Sequence, residues 1–368
     1  MKMYLTDDSP PAIPCPNMKV VCISQFSDFV GGGEYSIFDL MTHLPADVEP
    51  VLLVPAEGEL SARAKSEGIA WDLAPMPRIG IASLAALWAW RTLLADIKPD
   101  LLHANNSRPA FYAGITGRLL GIPAIFHCRI AQRDGLMDAI LVRLVRAIVC
   151  NSRAVASRFS RFRLPVQVVY NGIQVPESGK ESCRTGSRLL FAGRLSEEKQ
   201  PHVAVDVFEA LAGEFPGLQL DVIGQSGPDP AYAQLLQARI ASSPFHERIH
   251  CHGQVKNPSV FYRVADILTV PSLHEGFGRV LVEAMATGLP VVAFKTGGIP
   301  EVLEDGKQGF LIPPGEHSKM VSAVRRLLED ADLRLKMGET GYARARVFSL
   351  GKHIEKICQL YGQLLKGE

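Results

Sequence analysis

The sequence predicts an α/β protein built from two doubly wound parallel sheets. Short apolar runs alternate along the chain with longer amphipathic runs, which is the pattern of repeated strand–helix–strand units. Strands of a buried parallel sheet are nearly continuous in apolar residues, and the short runs have this character. The length of 368 residues corresponds to two domains of roughly 150 residues each. With 47% hydrophobic and 21% charged residues, the chain can form two cores, which excludes a disordered or fibrous protein.

Residues 18–171 are expected to form an N-terminal domain. Its apolar runs predict strands at Lys19–Ser24, Pro50–Val54, Leu101–Ala104, Ala124–His127, Ala147–Asn151 and Gln167–Tyr170. Helices are expected between them, for example at Tyr35–His43, Leu60–Glu67, Ile81–Ile97 and Pro109–Leu120. Residues 1–17 lack the order of a secretion signal. We expect them to be a flexible extension, with Met18 as an alternative start.

Residues 172–187 are polar and aperiodic, and they predict a linker between the domains. The alternation resumes in a C-terminal domain, residues 188–348. Strands are expected at Arg188–Ala192, Gln219–Ile223, Ile249–His252, Ile267–Val270 and Val291–Phe294. Helices are expected at Pro201–Phe215, Ala231–Ser242, Pro258–Val264, Arg279–Thr287 and Ser318–Asp330. Residues 349–368 hold a last helix, Lys352–Leu365, for which the N-terminal domain is one packing site.

Composition excludes several classes of protein. The 39 basic and 38 acidic residues nearly cancel, which argues against a nucleic-acid binder. The seven cysteines are scattered without a Cys-x-x-Cys motif, as expected of reduced thiols in a cytoplasmic protein. His250-Cys251-His252 is not expected to bind one metal ion, because consecutive strand residues point to opposite faces. No apolar run reaches the roughly 18 residues that would span a bilayer.

The strongest functional signal is a glycine-bearing turn, His274-Glu275-Gly276-Phe277-Gly278. It follows a predicted strand directly and precedes the helix predicted from Arg279. Backbone amides at a helix N-terminus bind anions, and glycines let a ligand approach closely. The turn therefore predicts a phosphate site.

Two carboxylates flank that turn, Glu275 before it and Glu283 on the helix after it. At this spacing they are not expected to touch, so they do not form the acid–base pair of a glycosidase. They are suited to hold hydroxyl groups at the two ends of a diphosphate-linked molecule. The alternative is that Glu275 caps the helix and Glu283 is a solvated helical carboxylate.

Further loops carry similar signals. Thr296-Gly297-Gly298-Ile299-Pro300 also follows a predicted strand and starts a helix. Gly193-Arg194 follows the strand Arg188–Ala192, and Lys199 comes five residues later. Arginine and lysine at the carboxyl end of a strand can neutralise a diphosphate. The alternative for Arg194 and Lys199 is a solvated basic loop.

A run of glycines, Gly31-Gly32-Gly33, follows the first predicted strand and starts a helix. It is not the Gly-x-Gly-x-x-Gly fingerprint, and no acidic ribose ligand follows about 20 residues later. A dehydrogenase is therefore excluded. The glycines suit the approach of backbone to a ligand held by the opposite domain, because two tandem sheets are expected to face a central cleft.

Taken together, these motifs resemble the retaining glycosyltransferases of family 4, which have the GT-B fold of two Rossmann-like domains. The resemblance covers residues 18–366 and is most specific at residues 275–301. Its carriers are Gly31–Gly33, His103, His127, Tyr170-Asn171-Gly172, Gly193-Arg194, Lys199, Glu275–Gly278, Glu283 and Gly297-Gly298. It implies an enzyme that moves a sugar from a UDP- or GDP-sugar, with an N-terminal acceptor-binding domain and a C-terminal donor-binding domain.

The resemblance also implies roles for individual residues. Glu275 and His127 would be catalytic, Glu275 by holding hydroxyls of the transferred sugar and His127 by lying near the reacting carbon. The donor-binding residues would be Gly32, Gly33, Arg194, Lys199, Gln254, Val255, Phe277, Gly278, Arg279, Val280 and Glu283. Among these, Arg194 and Lys199 would bind the diphosphate and Glu283 the ribose.

The chain departs from many relatives directly after His127, where Cys128 and Arg129 replace an acidic residue. The alternative role for His127 is that of a buried structural histidine. The resemblance implies no cofactor and no metal. The departing β-phosphate would take the acceptor proton, while Arg194 and Lys199 stabilise the growing charge.

A basic segment predicts the acceptor side. Residues 129–163 contain eight arginines and two acidic residues, interleaved with apolar residues. This composition predicts peripheral contact with an anionic membrane or a lipid-diphosphate-linked acceptor, to which Trp88 and Trp90 are expected to add. The alternative is a core helix with a solvated basic face. We expect bacterial polysaccharide or lipopolysaccharide assembly at the cytoplasmic face of the inner membrane.

Two other functions fit the double sheet. One is a sugar-nucleotide epimerase, which gives no reason for Arg194, Lys199 and the Glu275/Glu283 pair to occur together. The other is a catalytically inactive scaffold that binds a nucleotide sugar. No expected site position is visibly lost from the sequence, and this favours the enzyme.

Overall fold

The computed structural model describes residues 17–177, 186–227 and 229–367, and these residues contain two separate, entirely parallel sheets. The predicted α/β class with two doubly wound sheets is confirmed. Residues 1–16 of the extension predicted at residues 1–17, and residues 178–185 of the predicted linker, lie outside the described residues. The chain divides into unit 1 (up to Asn151, Ala156–Gly172 and from Ser349) and unit 2 (Ser152–Val155 and Ile173–Phe348).

The sheet of unit 1 has seven strands. These are β1 (Met18–Ile23), β2 (Val48–Val54), β3 (Ala70–Leu73), β4 (Leu101–Asn105), β5 (Ala124–Cys128), β6 (Ala147–Cys150) and β7 (Val166–Val168). Their order across the sheet is β3-β2-β1-β4-β5-β6-β7. The chain direction across the sheet reverses between β1 and β4, and the crevice outside the carboxyl ends of strands at such a switch point is where α/β sheets bind ligands.

Helices cover both faces of this sheet. They are α1 (Gly32–Thr42), α2 (Glu59–Ser66), α3 (Ala82–Ile97), α4 (Ser107–Leu120) and α5 (Gly135–Leu144). A short helix, α6 (Arg153–Ala156), follows β6, and its first three residues belong to unit 2. Helices α3, α4 and α5 pack side by side, and α1 closes one hydrophobic core together with β1, β2 and β4.

The sheet of unit 2 has six strands. These are β8 (Arg188–Ala192), β9 (Gln219–Ile223), β10 (Ile249–Gly253), β11 (Ile267–Val270), β12 (Val291–Phe294) and β13 (Gly309–Ile312). Their order is β10-β9-β8-β11-β12-β13, so this sheet also reverses direction, between β8 and β11. The loops that follow these two strands carry the residues singled out from the sequence.

Seven helices accompany the second sheet. They are α7 (Pro201–Ala212), α8 (Pro230–Ala241), α9 (Ser259–Val264), α10 (Arg279–Ala286), α11 (Ile299–Val302), α12 (His317–Glu329) and α13 (Ala331–Ala345). Helices α7 and α12 share a second hydrophobic core with the buried face of the sheet. The last helix, α14 (Leu350–Lys366), belongs to unit 1 and packs on α1.

Several elements differ from their predictions. Strands β3 and β13 and helices α6 and α13 were not predicted, and α5 was considered only as the alternative for the arginine-rich segment. Within the arginine-rich segment at residues 129–163, α5 ends at Leu144 and β6 begins at Ala147. Asp330, at the end of the helix predicted at Ser318–Asp330, accepts a hydrogen bond from the Leu333 amide and caps α13.

Candidate functional site

The glycine-bearing turn lies at the carboxyl edge of the second sheet, between β11 and α10. Gly278 adopts a φ of 96° as the N-cap of α10, a left-handed conformation that glycine adopts without steric cost. Phe277 is buried against Phe348, with ring centroids 5.5 Å apart. The turn is thereby anchored, and the first amides of α10, including those of Arg279 and Val280, lack acceptors within the helix, as at any helix N-terminus.

The second glycine turn supports the first. A Cβ at Gly297 would lie 1.8 Å from the Glu275 carbonyl oxygen, and one at Gly298 would lie 2.3 Å from that of Gly276. The Gly298 amide donates to the Glu275 carbonyl at 2.9 Å. The turn is followed only by the four-residue helix α11. Its glycines therefore permit backbone-to-backbone packing that holds the Glu275–Gly278 turn.

Lys199 and Glu275 form an ion pair across 76 positions of sequence. Their side chains are 18% and 14% exposed, so the pair is mostly removed from water. The Leu273 amide donates to the Glu198 carbonyl at 2.9 Å, which joins the loop after β8 to the loop after β11. The structure thus brings together one predicted diphosphate ligand and one predicted sugar ligand, and it excludes the reading of Lys199 as a solvated lysine.

The loop that carries Arg194 is fixed against the loop after β9. A Cβ at Gly224 would lie 1.8 Å from the Gly193 carbonyl oxygen, so only glycine fits at position 224. The Leu195 amide donates to the Gln225 carbonyl at 2.8 Å. Arg194 is about one third exposed, and its guanidinium lies 4.0 Å from the Glu198 carboxylate. A cation that is held on a fixed loop and is open to solvent suits an anionic ligand.

Glu283 accepts two hydrogen bonds at the start of α10. Arg279 donates from Nε at 2.7 Å, and the Tyr262 hydroxyl donates at 3.0 Å. Burial, and then the neighbouring Glu283 carboxylate, raise the pKa of Tyr262 well above its usual value, so its hydroxyl stays protonated as a donor. Glu283 is therefore an oriented carboxylate rather than a solvated one. Tyr262 was not predicted from the sequence, because a lone tyrosine on a short helix gives no local signal of this contact.

The remaining predicted donor residues are less constrained. Gln254 and Val255 follow β10, where Gln254 is exposed and Val255 is half-buried.

Beside Lys199, the Ser196 Oγ and Gln200 Oε1 atoms are buried and have no hydrogen-bond partner among the described residues. Unpaired buried polar atoms are uncommon and call for an explanation. A ligand at this loop would supply partners for both.

In unit 1, His127 lies in a buried polar network at the carboxyl edge of the sheet. Its Nδ1 is 3.0 Å from His103 Nε2, and His103 Nδ1 is 2.6 Å from the Tyr361 hydroxyl. Burial, and then the Arg129 charge, lower the pKa of both rings, that of His103 to about 3. Both histidines are therefore neutral at ordinary pH.

Arg129 lies inside this network. It is 8% exposed and donates to Asn105 at 2.5 Å, to Asn171 at 2.5 Å and to Ser36 at 3.1 Å. The predicted basic surface at residues 129–163 is therefore wrong for Arg129. It is also wrong for Arg158, which is buried in an ion pair with Asp138 at 2.5 Å.

The predicted glycines of unit 1 contact the same network. Helix α1 begins at Gly32, and the Gly33 carbonyl accepts a hydrogen bond from Asn105 at 3.3 Å. A Cβ at Gly33 would lie 3.2 Å from the Arg129 side chain. Gly33 therefore lets the start of α1 pack closely on Asn105 and Arg129.

A cavity of about 260 Å³ also opens at this edge of the first sheet. It is lined by Gln25, Arg78, Ile79, Ser107, Arg108, Asp134 and Met137. Gln25 follows β1 and Ser107 begins α4 after β4, so the cavity lies at the switch point of the sheet. Two arginines against one aspartate give its wall a positive balance.

Helix α3 exposes an apolar stripe. Ile81, the N-cap residue of α3, is 92% exposed, Leu84 72% and Trp88 70%, and their spacing places them on one side of the helix. Trp90, predicted to share this surface, is instead buried and donates from its indole to the Pro75 carbonyl at 2.9 Å. The α3 stripe therefore consists of Ile81, Leu84 and Trp88, without Trp90.

The described residues contain neither a helix that could span a membrane nor a group of side chains that could bind a metal ion. Within residues 17–177, 186–227 and 229–367, no helix combines the length and the apolar composition needed to cross a bilayer. In the same ranges, no three His, Cys, Asp or Glu side chains are grouped so that they could bind a metal ion.

Two family models match the sequence. The model for glycosyl transferases group 1 matches residues 181–344, and the model for glycosyltransferase family 4 matches residues 30–176. Curated relatives include the D-inositol 3-phosphate glycosyltransferase of Corynebacterium jeikeium, 36% identical over 47% of this chain and 43% of the relative. That of Corynebacterium glutamicum is 34% identical over 49% and 44%. The matches thus span less than half the length of these relatives.

Solved structures share the fold. Anabaena Alr3699/HepE in complex with UDP and glucose has a TM-score of 0.82 at 21% identity, with 93% of this chain and 99% of that chain covered. Sucrose-phosphate synthase from Thermosynechococcus elongatus has a TM-score of 0.78 at 19% identity, with 95% and 100% covered.

Proposed function

Because this chain belongs to glycosyltransferase family 4, we propose that it moves a sugar from a nucleoside-diphosphate sugar to a glycan or lipid-linked acceptor. The observation that carries the proposal is the half-buried Lys199–Glu275 ion pair beside the N-terminus of α10. This arrangement provides an ammonium and helix amides for a diphosphate, and a carboxylate for sugar hydroxyls. The related structure in complex with UDP-glucose supports a UDP-sugar as the donor. Assembly of bacterial polysaccharide or lipopolysaccharide is the corresponding pathway class.

The donor would be held by residues of unit 2. Arg194, Lys199 and the amides after Phe277 bind the diphosphate, since a guanidinium, an ammonium and a helix N-terminus all favour negative charge. Glu283, oriented by Arg279 and Tyr262, accepts hydrogen bonds from the ribose hydroxyls. Gln254 and Val255 lie against the base. None of these contacts requires a metal ion, and the proposed enzyme is metal-independent.

The transfer retains the configuration of the sugar. The bond from the anomeric carbon to the β-phosphate oxygen breaks, and the acceptor hydroxyl bonds to that carbon on the same face. Its proton passes to the departing phosphate oxygen. The protein's contribution is electrostatic, because Arg194, Lys199 and the α10 amides stabilise the charge that grows on the nucleoside diphosphate.

A thermal-shift series tests the donor site. UDP and UDP-sugars are expected to raise the melting temperature of the purified protein equally with and without EDTA, and GDP and ADP to do so less. A ligand at 100 times its dissociation constant stabilises the folded state by about 2.7 kcal/mol, which such a scan resolves. A response that EDTA abolishes would contradict metal independence, and no response to any nucleotide would contradict the donor site.

An inactive nucleotide-sugar-binding scaffold is the alternative. It would give the same thermal shift but would release no nucleoside diphosphate in the presence of acceptor. The ion pair between Lys199 and Glu275, which is mostly removed from water, favours the enzyme, because charges are costly to remove from water and replacing such a pair with apolar residues is often neutral or stabilising. A protein that only binds has less need of it than one that stabilises charge during a reaction.

The acceptor carries a phosphate group and binds in the cavity at the switch point of the first sheet. Arg78 and Arg108 line that cavity, and a guanidinium matches phosphate with two parallel hydrogen bonds. The name of the curated relatives, D-inositol 3-phosphate glycosyltransferase, supports a phosphorylated acceptor. A lipid-linked diphosphate offers the same chemistry.

Arg108→Ala is expected to raise the KM for a phosphorylated acceptor about tenfold, as loss of one charge-assisted hydrogen bond does. D-inositol 3-phosphate and a lipid diphosphate are the two acceptors to compare. Arg118→Ala, near the other end of α4, is the matched control. The cavity is not the acceptor site if both variants keep the KM of the unmodified protein.

The α3 stripe makes peripheral contact with an anionic membrane. Ile81, Leu84 and Trp88 present apolar surface, and the exposed Arg78 and Arg91 flank them. Apolar side chains that insert at the headgroup level, beside cations, are the features of an interfacial helix. This surface replaces the predicted one at Arg129–Arg163, of which Arg129 and Arg158 are internal.

Trp88→Ser is expected to weaken binding to phosphatidylglycerol vesicles about tenfold or more, because burial of one large apolar side chain contributes about 1.5–3 kcal/mol. Co-sedimentation with vesicles measures this effect. Leu335→Ser changes an exposed apolar residue of unit 2 that is 61% exposed, and it is expected to leave vesicle binding unchanged. Equal losses in the two variants would contradict a specific role for α3.

A further inference from the structure

The Nε2 atom of His127, at the edge of the first sheet, lacks a hydrogen-bond partner among the residues that the structure describes. His127 is fully buried, and among the described residues its Nε2 atom accepts and donates no hydrogen bond. Its other nitrogen, Nδ1, is 3.0 Å from His103 Nε2 and 3.4 Å from Arg129 Nη2. A buried polar atom without a partner is costly. What Nε2 can do depends on whether it carries the proton of the neutral ring.

Sheet geometry explains why these groups meet. Asn105 on β4 is the register partner of His127 on β5, and side chains two positions apart on a strand point to the same face. His103, Asn105 and His127 therefore share one face, and Arg129 follows His127 by two positions. Helix α14 covers this face and brings the Tyr361 hydroxyl to His103.

Arg129 determines which His127 nitrogen carries the proton. A guanidinium has donors only and keeps its charge in proteins, so the side facing Arg129 must offer a lone pair. A proton on Nδ1 of His127 would face both the Arg129 N–H and its positive charge. The lone pair is therefore on Nδ1, and the proton of the neutral ring is on Nε2.

The other hydrogen bonds of the network are consistent with a lone pair on His127 Nδ1. If His127 Nδ1 accepts, His103 Nε2 donates to it, and His103 Nδ1 then accepts from the Tyr361 hydroxyl at 2.6 Å. The opposite direction would have Tyr361 accept and would leave an N–H of His127 pointing at Arg129. His353, whose ring stacks 6.3 Å from that of His127, does not compete, because its Nδ1 donates to the Tyr170 carbonyl at 2.7 Å.

We propose that Arg129, His103 and Tyr361 are positioning residues that hold His127 as the Nε2–H tautomer, so that Nε2 donates a hydrogen bond to an oxygen atom of bound substrate. The identity of that oxygen rests on the proposed function, where it belongs to the transferred sugar or to the acceptor. His127 is then a hydrogen-bond donor and not a general base. A series of hydrogen bonds, from Tyr361 on α14 through His103 to His127 on β5, sets this role.

Two-bond proton–nitrogen correlation spectra of the unliganded protein, labelled with ¹⁵N-histidine, test the tautomer directly. His127→Gln identifies the signals of His127 by their loss. The expected spectrum shows Nε2 protonated and Nδ1 unprotonated in the unmodified protein. The Nδ1–H pattern, or that of a charged ring, would overturn the proposal. Because no substrate is present, the result does not depend on transferase activity.

Arg129→Met removes the donor and its charge, whereas Arg129→Lys keeps both. The methionine variant is expected to give a mixture of the two His127 tautomers and about a tenfold lower kcat, and the lysine variant to retain the Nε2–H pattern. Tyr361→Phe is expected to shift the tautomer of His103. Arg158→Met, which removes another buried arginine of the same region, controls for general destabilisation and is expected to leave the His127 pattern unchanged.

These measurements distinguish failure of the tautomer assignment from failure of the proposed function. An unmodified protein with the Nε2–H pattern but without any sugar transfer contradicts the proposed function and leaves the tautomer assignment intact. A transferring enzyme with the Nδ1–H pattern contradicts the tautomer assignment alone. If Arg129→Met leaves the tautomer unchanged, Arg129 does not set it.

Discussion

Glu275→Gln is expected to lower kcat for sugar transfer about 100-fold and to leave binding of the nucleoside diphosphate nearly unchanged. The carboxylate accepts hydrogen bonds from sugar hydroxyls, and bonds to a charged group contribute about 1.5–3 kcal/mol each. Glutamine keeps the size of the side chain but removes its charge, and it also removes the ionic partner of Lys199. Steady-state kinetics and calorimetric titration with the nucleoside diphosphate measure the two effects.

Glu304→Gln is the matched control for this change. Glu304 is also an ion-paired glutamate of unit 2, bonded to Lys307 at 2.7 Å, but it lies away from the loops after β8 and β11. Its kcat is expected to equal that of the unmodified protein, since exposed ion pairs contribute little. Full activity in Glu275→Gln would remove Glu275 from the site.

The strands of unit 2 show which parts of a fold the sequence predicts well. Bounds predicted for Arg188–Ala192, Gln219–Ile223, Ile267–Val270 and Val291–Phe294 match β8, β9, β11 and β12. The interior strands of this sheet lie between neighbours and between layers of helices, so each is one uninterrupted apolar run. The position of a strand inside the sheet therefore explains both its burial and the apolar run by which the sequence predicts it.

Of the four edge strands, β3 and β13 lack that signal. Strand β3 is almost entirely exposed or half-buried, and β13 has four residues and begins at a glycine. An edge strand has a neighbour on one side only, so its residues need not be apolar throughout. Helix α13 was missed for a related reason, because Gly338 and Gly341 interrupt its apolar pattern. Gly338 is required there, since a Cβ would lie 2.4 Å from the Gly288 carbonyl oxygen.

Some features of the candidate site could be predicted from local sequence, and others depend on the folded structure. Local motifs predicted the turn at Glu275–Gly278, because a glycine turn before a helix is visible within a few residues. The ion pair between Lys199 and Glu275 could not be predicted, since it depends on two loops that meet only in the folded sheet. Arg129 gave a misleading signal. It lies in an arginine-rich segment, yet the packing of α1 and α14 on the sheet encloses it.

Lys199→Ala is expected to weaken donor binding and to lower kcat together, with kcat/KM falling by a factor of about 100–1,000. Removal of one group that stabilises developing charge has an effect of this size in other enzymes. The reason lies in its position: Lys199 is mostly buried, where a charge acts through a lower effective dielectric than in water. Binding and turnover both fall because the diphosphate is charged before the reaction and more strongly charged after it.

Lys307→Ala is the control, because Lys307 is also ion-paired but is 65% exposed. The double variant Lys199→Ala/Glu275→Gln distinguishes a shared role from independent ones. Residues in direct contact are not additive, so the double variant is expected to lose less activity than the product of the two single losses. Once Lys199 is absent, Glu275 has no cation to orient it, and its removal costs less. Additive losses would mean that each residue binds the donor without help from the other, and the ion pair would then be only a means of burying two charges.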